Sequence, residues 1–480
     1  MDDQRQQFTV EEAISAIGFG KFHSFALIYA GLGWVSEAME MMILSVVGPA
    51  IQIEWKVSPE EGSLLDTAVF VGMLIGAYFW GIVSDAYGRK MGCLGATMIT
   101  AAAGLASAFS PNYMTLLVLR GILGFSVAGG HVFSTWFLEF VPAPHRGVWM
   151  IVVAAFWTLG TIFEAALAWI VMPRLGWRWL IGLSSLPSFL VILSTGFAPE
   201  SLRYLCSKGR KVEAQHILEK IAQLNQTKLP IGTLELEPVV GDKEHAPPEE
   251  TPLLVSSMSK TVDQESTLLL SFALFSPKLL KTTLLSWILG IGNCFGYYGI
   301  IFLISELPSA QISCSSTTRL LESSENTLYM DVLINSLAEL PGLAFAAVTV
   351  DKIGRKLTME ASAVISLILL IPLVWNNNET LTTALLFGVR MFITASFDIL
   401  SIYIKEIYPT SVRSTGVGIA TSVGRVGGII CPYIAVGLVR SCHQTTAIIA
   451  FQIVFALLAL SVPLLPLESK GKELSDVVQE

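Results

Sequence analysis

Eight ionisable side chains interrupt apolar stretches of this 480-residue sequence: Glu37, Glu40, Arg120, Glu164, Glu339, Arg390, Asp398 and Arg425. A charge kept from water is costly, so each marks a binding, relay or pairing site. Their spacing sorts them. Glu37 and Glu40 are one helical turn apart. Arg120 precedes Glu139 by 19 positions, about 28 Å of helix. At those depths either acid can meet Arg120, as a Glu37–Arg120 or a Glu40–Arg120 pair. Burial and an adjacent guanidinium act oppositely on a carboxyl. A guanidinium that moves therefore lets the acid take up and release a proton, and the competing reading is a static ion pair.

Glu339 and Arg425 fall near the middle of their stretches. The planar fork of Arg425 suits a carboxylate ligand, and Glu164 or Glu339 can balance a cationic nitrogen. Trp34, Phe156, Trp157, Phe295, Tyr297 and Tyr298 offer ring faces of the kind that hold quaternary ammonium or pyridinium groups. Asn293 is counted with the binding candidates. A zwitterion would use all three devices. The alternatives are that Glu339 and Arg425 pair with each other and that the rings are ordinary packing.

These side chains need elements to carry them, and composition says which. The chain is 53% hydrophobic and 14% charged, too few charges to cover several soluble domains. Apolar segments long enough to cross about 30 Å of hydrocarbon recur near 24–50, 62–84, 91–110, 114–138, 147–171 and 177–198. After a polar gap come 282–305, 329–350, 357–375, 381–404, 414–440 and 445–466. The expected fold is an all-α membrane protein of twelve transmembrane helices in two six-helix bundles. Its parts are an N-terminus (1–22), a first bundle (23–199), a middle loop (200–280), a second bundle (281–467) and a tail (468–480). A net charge of −8 argues against nucleic acid. GxGxxG, GKS/T, HExxH and CxxC are missing, so neither an enzyme, a cofactor nor a metal site is expected, and six cysteines give no disulfide framework.

Residues 1–22 lack the pattern of a removable signal peptide. With both ends on one side, that side carries 22 of the 30 Lys and Arg, which predicts cytosolic termini. In the middle loop, 209–224 reads as an interfacial amphipathic helix with Val212, Ile217, Leu218, Ile221 and Leu224 on one stripe. Residues 231–266, with eight acids and two lysines, read as disordered linker. Within it Leu253 and Leu254 follow Glu249 at the spacing a sorting adaptor reads. Asn378 opens a glycosylation sequon in an external loop. The plasma membrane is expected ahead of a vacuolar or endosomal one.

The sequence also repeats itself at an offset of 266–267 residues. GIVSDAYGRK (81–90) matches AVTVDKIGRK (347–356), pairing Asp85 with Asp351 and Arg89 with Arg355. Glu139 and Arg146 in ExxPxxxR match Glu406 and Arg413. Positive-inside flanking explains the basic residues but neither the acids nor the repetition. The eight residues read as conformational latches, ion pairs at helix ends that differ between states. Paired six-helix halves are a transporter arrangement with a site between them.

GxxxDxxGRK, LxxRGILGF, ExxPxxxRG, PESxRYL and ExYPTxxR together resemble the major facilitator superfamily, in its sugar-porter-like and organic-ion branch. More narrowly, GWVSEAMEMMILS, SPNYM and SVGRVGGIICP are similar to the plant organic cation/carnitine transporter 7 group and to nicotinate transporters. The resemblance implies alternating-access transport of small organic ions such as carnitine, nicotinate or a betaine, and a helix-1 acid paired with the helix-4 arginine for proton coupling. A proton-coupled sugar porter, or a transporter-like protein without flux, is the alternative.

Overall fold

The computed structural model describes residues 7–141, 146–230, 232–234, 277–314, 324–350, 352–375, 379–407 and 413–469. The first half contains α1 (Val10–Ile17), α2 (Lys21–Trp55), α3 (Pro59–Tyr87), α4 (Arg89–Ala108), α5 (Tyr113–Val127), α6 (His131–Leu138), α7 (Arg146–Leu175), α8 (Trp177–Ser184), α9 (Leu186–Thr195), α10 (Leu202–Ser207) and α11 (Lys211–Asn225). The second contains α12 (Pro277–Cys314), α13 (Ser324–Leu337), α14 (Glu339–Val350), α15 (Arg355–Leu370), α16 (Glu379–Ile407), α17 (Arg413–Pro432) and α18 (Gln444–Ser461). They make twelve transmembrane helices, six in each half. Three of these are broken in two: α5 and α6 join through a 3-10 turn at Ala128–Gly130, and the other two are α8 with α9 and α13 with α14. A π-helical turn at Tyr433–Leu438 extends α17.

Local signals in the sequence start the helices. Ser58 caps α3 in a reciprocal box with Glu61, and Pro59 occupies the first turn. Between α3 and α4 the chain reverses at Gly88, and before α15 it reverses at Gly354, both at φ +105°. Only glycine takes that conformation without strain.

On the face that carries the termini, a small cap covers the first half. Gln7–Phe8 (β1) pairs in parallel with Thr233–Leu234 (β2). The Asn225 side chain accepts from the Phe22 amide at 3.0 Å, tying α11 to the start of α2. The buried side of α11 is Ala214, Leu218, Ile221 and Ala222, packed in one cluster with Ile14, Phe22, Leu202 and Leu205. Val212 and Leu224 are exposed. The amphipathic helix is therefore present, but its buried stripe rests on protein.

Cys442 is disulfide-bonded, whereas Cys93, Cys206, Cys294 and Cys431 are free and buried. The sequence reading excludes a disulfide framework and does not identify this bridge. A single bridge depends on which loops the fold brings together, so residue spacing does not reveal it.

Candidate substrate and coupling site

In the first half, Arg120 of α5 and Glu40 of α2 form a fully buried pair at 3.0 Å. Of the two candidate acids, geometry selects Glu40. Gly104 on α4 makes its space: a Cβ there would stand 2.6 Å from Glu40 Oε1. Glu37, one turn away, goes elsewhere. Its carboxyl fills a slot over Gly130, where a Cβ would lie 1.6 Å from Oε2, so the 3-10 break and its glycine exist at the point where α2 needs room. The guanidinium acting on Glu37 is Arg425, from the opposite half. Glu164 accepts from Ser184 Oγ at 2.6 Å, and its Oε1 has no partner among the described residues.

A second set spans the interface between the halves. Trp157 of α7 donates to the Tyr297 hydroxyl at 2.7 Å, and Tyr297 donates to Glu339 at 2.7 Å. Thr161 of α7 donates to the other Glu339 oxygen at 3.2 Å. Arg390 holds Glu339 at 2.8 Å, with both side chains fully buried. The sequence-stated alternative of a Glu339–Arg425 pair does not form. Arg390, named above without a partner, takes that place.

Arg425 instead donates to Tyr298 at 3.0 Å and lies 5.8 Å from that ring's centroid. The Tyr298 ring meets Phe70 of α3 edge-on at 4.8 Å. Trp34 meets Trp157 edge-on at 5.6 Å. Three buried polar atoms here have no partner among the described residues: Arg425 Nε, Trp34 Nε1 and Asn293 Oδ1. Two are donors and one is an acceptor, each costly to leave unmet. Phe295 lies on Phe451 at 4.8 Å, as core packing. Phe156 fills the space over Gly31.

At the face carrying the termini, each half has a lock of the same design. Arg89 pairs with Glu139 at 3.3 Å, and its Nη1 donates to the Ser84 carbonyl at 2.9 Å. Glu200 accepts from the backbone amides of Arg89 and Lys90 at 2.8 and 3.2 Å. In the second half Arg355 pairs with Glu406 at 3.0 Å, and Glu468 accepts from the amides of Arg355 and Lys356 at 2.9 and 3.0 Å. Burial pushes the Glu139 carboxyl up, against the downward pull of Arg89 and Ser201. Sequence reasoning missed Glu200 and Glu468 as lock members; the available signal was the weak echo of Pro199-Glu200-Ser201 in Pro466-Leu467-Glu468-Ser469. The side chains of Asp85, Arg146, Asp351 and Arg413 lie outside the description, as do Asn378, Leu253 and Leu254.

Twelve helices in two like halves, with ionic and aromatic groups meeting between them, define a membrane transporter of the major facilitator type. The chain belongs to the family described as "Sugar (and other) transporter", which matches residues 56–480. It is 50% identical over 490 residues to organic cation/carnitine transporter 7 of Arabidopsis thaliana, across 100% of this chain and 98% of that one. It is 37% identical over 484 residues to the synaptic vesicle 2-related protein of Bos taurus, across 98% of this chain and 82% of that one. The proton:xylose symporter XylE bound to 6-bromo-6-deoxy-D-glucose shares the fold, with TM-score 0.68 and 19% identity over 94% of this chain and 98% of that one.

Proposed function

We propose that this transporter carries small organic ions, such as carnitine, nicotinate or a related betaine, by proton-coupled alternating access. The observation that carries the reading is the interface constellation. Arg425 has an unmet donor beside Tyr298, and the Trp34–Trp157 pair also presents an unmet donor. A substrate carboxylate takes the guanidinium, and a cationic or planar nitrogen group takes the ring faces. Glu339, engaged by Arg390, Tyr297 and Thr161, positions the Tyr297 hydroxyl and the Trp157 ring rather than meeting the substrate itself. The 50% identical relative named as an organic cation/carnitine transporter supports this substrate class.

Coupling is assigned to Glu40 with Arg120, and to Glu37, which answers to Arg425 in the other half. A substrate anion that engages Arg425 changes the charge facing Glu37, linking cargo and proton at one guanidinium. The two locks act as conformational latches within each half. The termini face the cytosol. The Lys and Arg distribution supports this, as does the Cys442 disulfide on the opposite face, since disulfides persist on the oxidising side. The plasma membrane is assigned ahead of vacuolar or endosomal membranes, to be checked by imaging a fluorescent fusion.

The test is counterflow in proteoliposomes with labelled nicotinate, carnitine, trigonelline and glucose at two pH values. Exchange of an organic ion, stimulated by an inward proton gradient, is expected. Movement of glucose alone overturns the reading in favour of a sugar porter. No flux of any of them favours the alternative of a transporter-like protein without flux.

A further inference from the structure

The halves close on the face opposite the termini, along one stripe of α3. A Cβ on Gly437 would stand 3.7 Å from Ser63 Oγ, Thr67 donates to the Ile429 carbonyl at 3.3 Å, and the Phe70 ring occupies the space over Gly428. Asp66 lies within this stripe. It is 4% exposed, and its Oδ1 has no partner among the described residues. The charged groups acting on it are Glu306 and Arg440 of the second half and Arg120 of α5. Tyr113 of α5 and Cys431 of α17 lie within its field.

Both arginines are already engaged. Arg440 grips Glu306 with two nitrogens, Nη2 at 2.6 Å and Nε on the other oxygen. Arg120 is held by Glu40. Asp66 is thus a third carboxyl beside two neutral ion pairs, with no counterion of its own among the described residues. As an anion in this closed interface it would be buried and uncompensated, a strongly disfavoured state. Parting the halves returns it to water and removes the penalty.

We propose that Asp66 is a proton-binding gate: the halves close over it on the face opposite the termini when it carries a proton taken from water on that face. The carboxylate gains one O–H bond and loses its charge, and Glu306 and Arg440 remain an ion pair throughout. The π-helical turn at Tyr433–Leu438, of a kind found mainly at functional sites, lies in the same seam between Gly428 and Arg440. The proposal does not depend on the substrate, because it concerns closure of the empty protein.

One proton bound per closure makes the closed-to-open ratio change by up to tenfold per pH unit wherever the open state is ionised. The test places spin labels at Ile53→Cys and Ser441→Cys, both exposed on that face. Their separation is measured by pulsed dipolar spectroscopy in nanodiscs without substrate, from about pH 5 to 8. The short-distance population of the otherwise wild-type chain is expected to grow on acidification. Asp66→Asn is expected to stay closed across the range. Glu306→Gln, which leaves a single acid for Arg440, is expected to do the same by a different route. A wild-type pH response in Asp66→Asn overturns the proposal. So does a Glu306→Gln protein that still opens at high pH, even should Asp66→Asn fail to fold. Because no cargo is present, either result leaves the organic-ion reading untouched, and counterflow decides that separately.

Discussion

Gly130→Ala is the sharpest perturbation of the proposed coupling site. A Cβ at this position would sit 1.6 Å from Glu37 Oε2, whereas ordinary contact begins near 3.4 Å, so the carboxyl must retreat by roughly 1.8 Å. The obstructed atom is the tip of a flexible side chain, so relief comes from rotation of Glu37 rather than from backbone movement. Overpacking a tight interior costs about 1–3 kcal/mol, and a flexible tip places this case at the low end. For charges about 4–6 Å apart at an effective dielectric near 20, a shift of that size changes the interaction by about 1 kcal/mol. That is several-fold to tenfold in the balance Arg425 exerts on Glu37. The expected result is a several-fold to tenfold loss of pH-driven uptake in proteoliposomes, with the melting temperature lowered by only a few degrees. Gly81→Ala, which meets nothing within 4 Å, serves as the control. The decisive comparison is a double-mutant cycle with Glu37→Gln. If Gly130→Ala acts through Glu37, it adds nothing in that background. Independent, additive losses in the two variants would refute the slot argument, and so would unchanged uptake in Gly130→Ala.

Arg390→Met leaves Glu339 buried without its counterion and should cost about 3–5 kcal/mol, read as a fall in thermal stability, with Glu339→Gln in the same chain restoring part of it. Arg425→Ala should weaken binding of a carboxylate-bearing substrate by about 10–100-fold, and Arg425→Lys should restore only part, because an ammonium lacks the planar fork. Gly88→Ala and Gly354→Ala should each destabilise by about 1–3 kcal/mol, since both sit at positive φ against the carboxylate of Glu200 or Glu468. Similar losses in the two halves, measured by melting temperature, would establish the locks as equivalent. For Glu139, burial holds the folded-state carboxyl above its ordinary value of 4.5. The folded protein therefore keeps a proton that the unfolded chain has lost, and this group's contribution to stability falls as pH rises through that window. Glu139→Gln should flatten the dependence of melting temperature on pH just above that value.

Most of the architecture was legible because hydrophobic length and repetition are local properties of a sequence. Helix ends followed the caps at Ser58 and the reversals at Gly88 and Gly354. Partners were less legible, because pairing depends on rotation about each helix axis, which spacing along one helix does not fix. Depth allowed Arg120 to meet Glu37 or Glu40, and only the packing of α2 against Gly104 and Gly130 separates them. Depth also allowed Glu339 to meet Arg425, while α16 presents Arg390 instead. Asp66 and Glu306 escaped notice among the span charges: one lies near the start of its apolar stretch and the other just beyond the end of its own.

The duplication shows which of these pairs follow from ancestry and which from use. The locks at the face of the termini are copied group for group: Arg89, Glu139 and Glu200 against Arg355, Glu406 and Glu468. The charges inside the membrane are not. Glu306 stands 266 residues after Glu40, yet it pairs with Arg440, beyond the π-helical turn, rather than with an arginine of α16. The arginine of α16, freed of that partner, holds Glu339 of α14 and through it the Tyr297–Trp157 bridge to the first half. A scaffold that only had to hold six helices together would have no reason to rewire one copy. Rewiring places one acid–base pair inside the first bundle, one behind the proposed substrate interface and one at the closing face beside Asp66. On the proposed assignments each answers to a different event in the cycle, so substitutions at the three pairs should separate coupling, binding and closure.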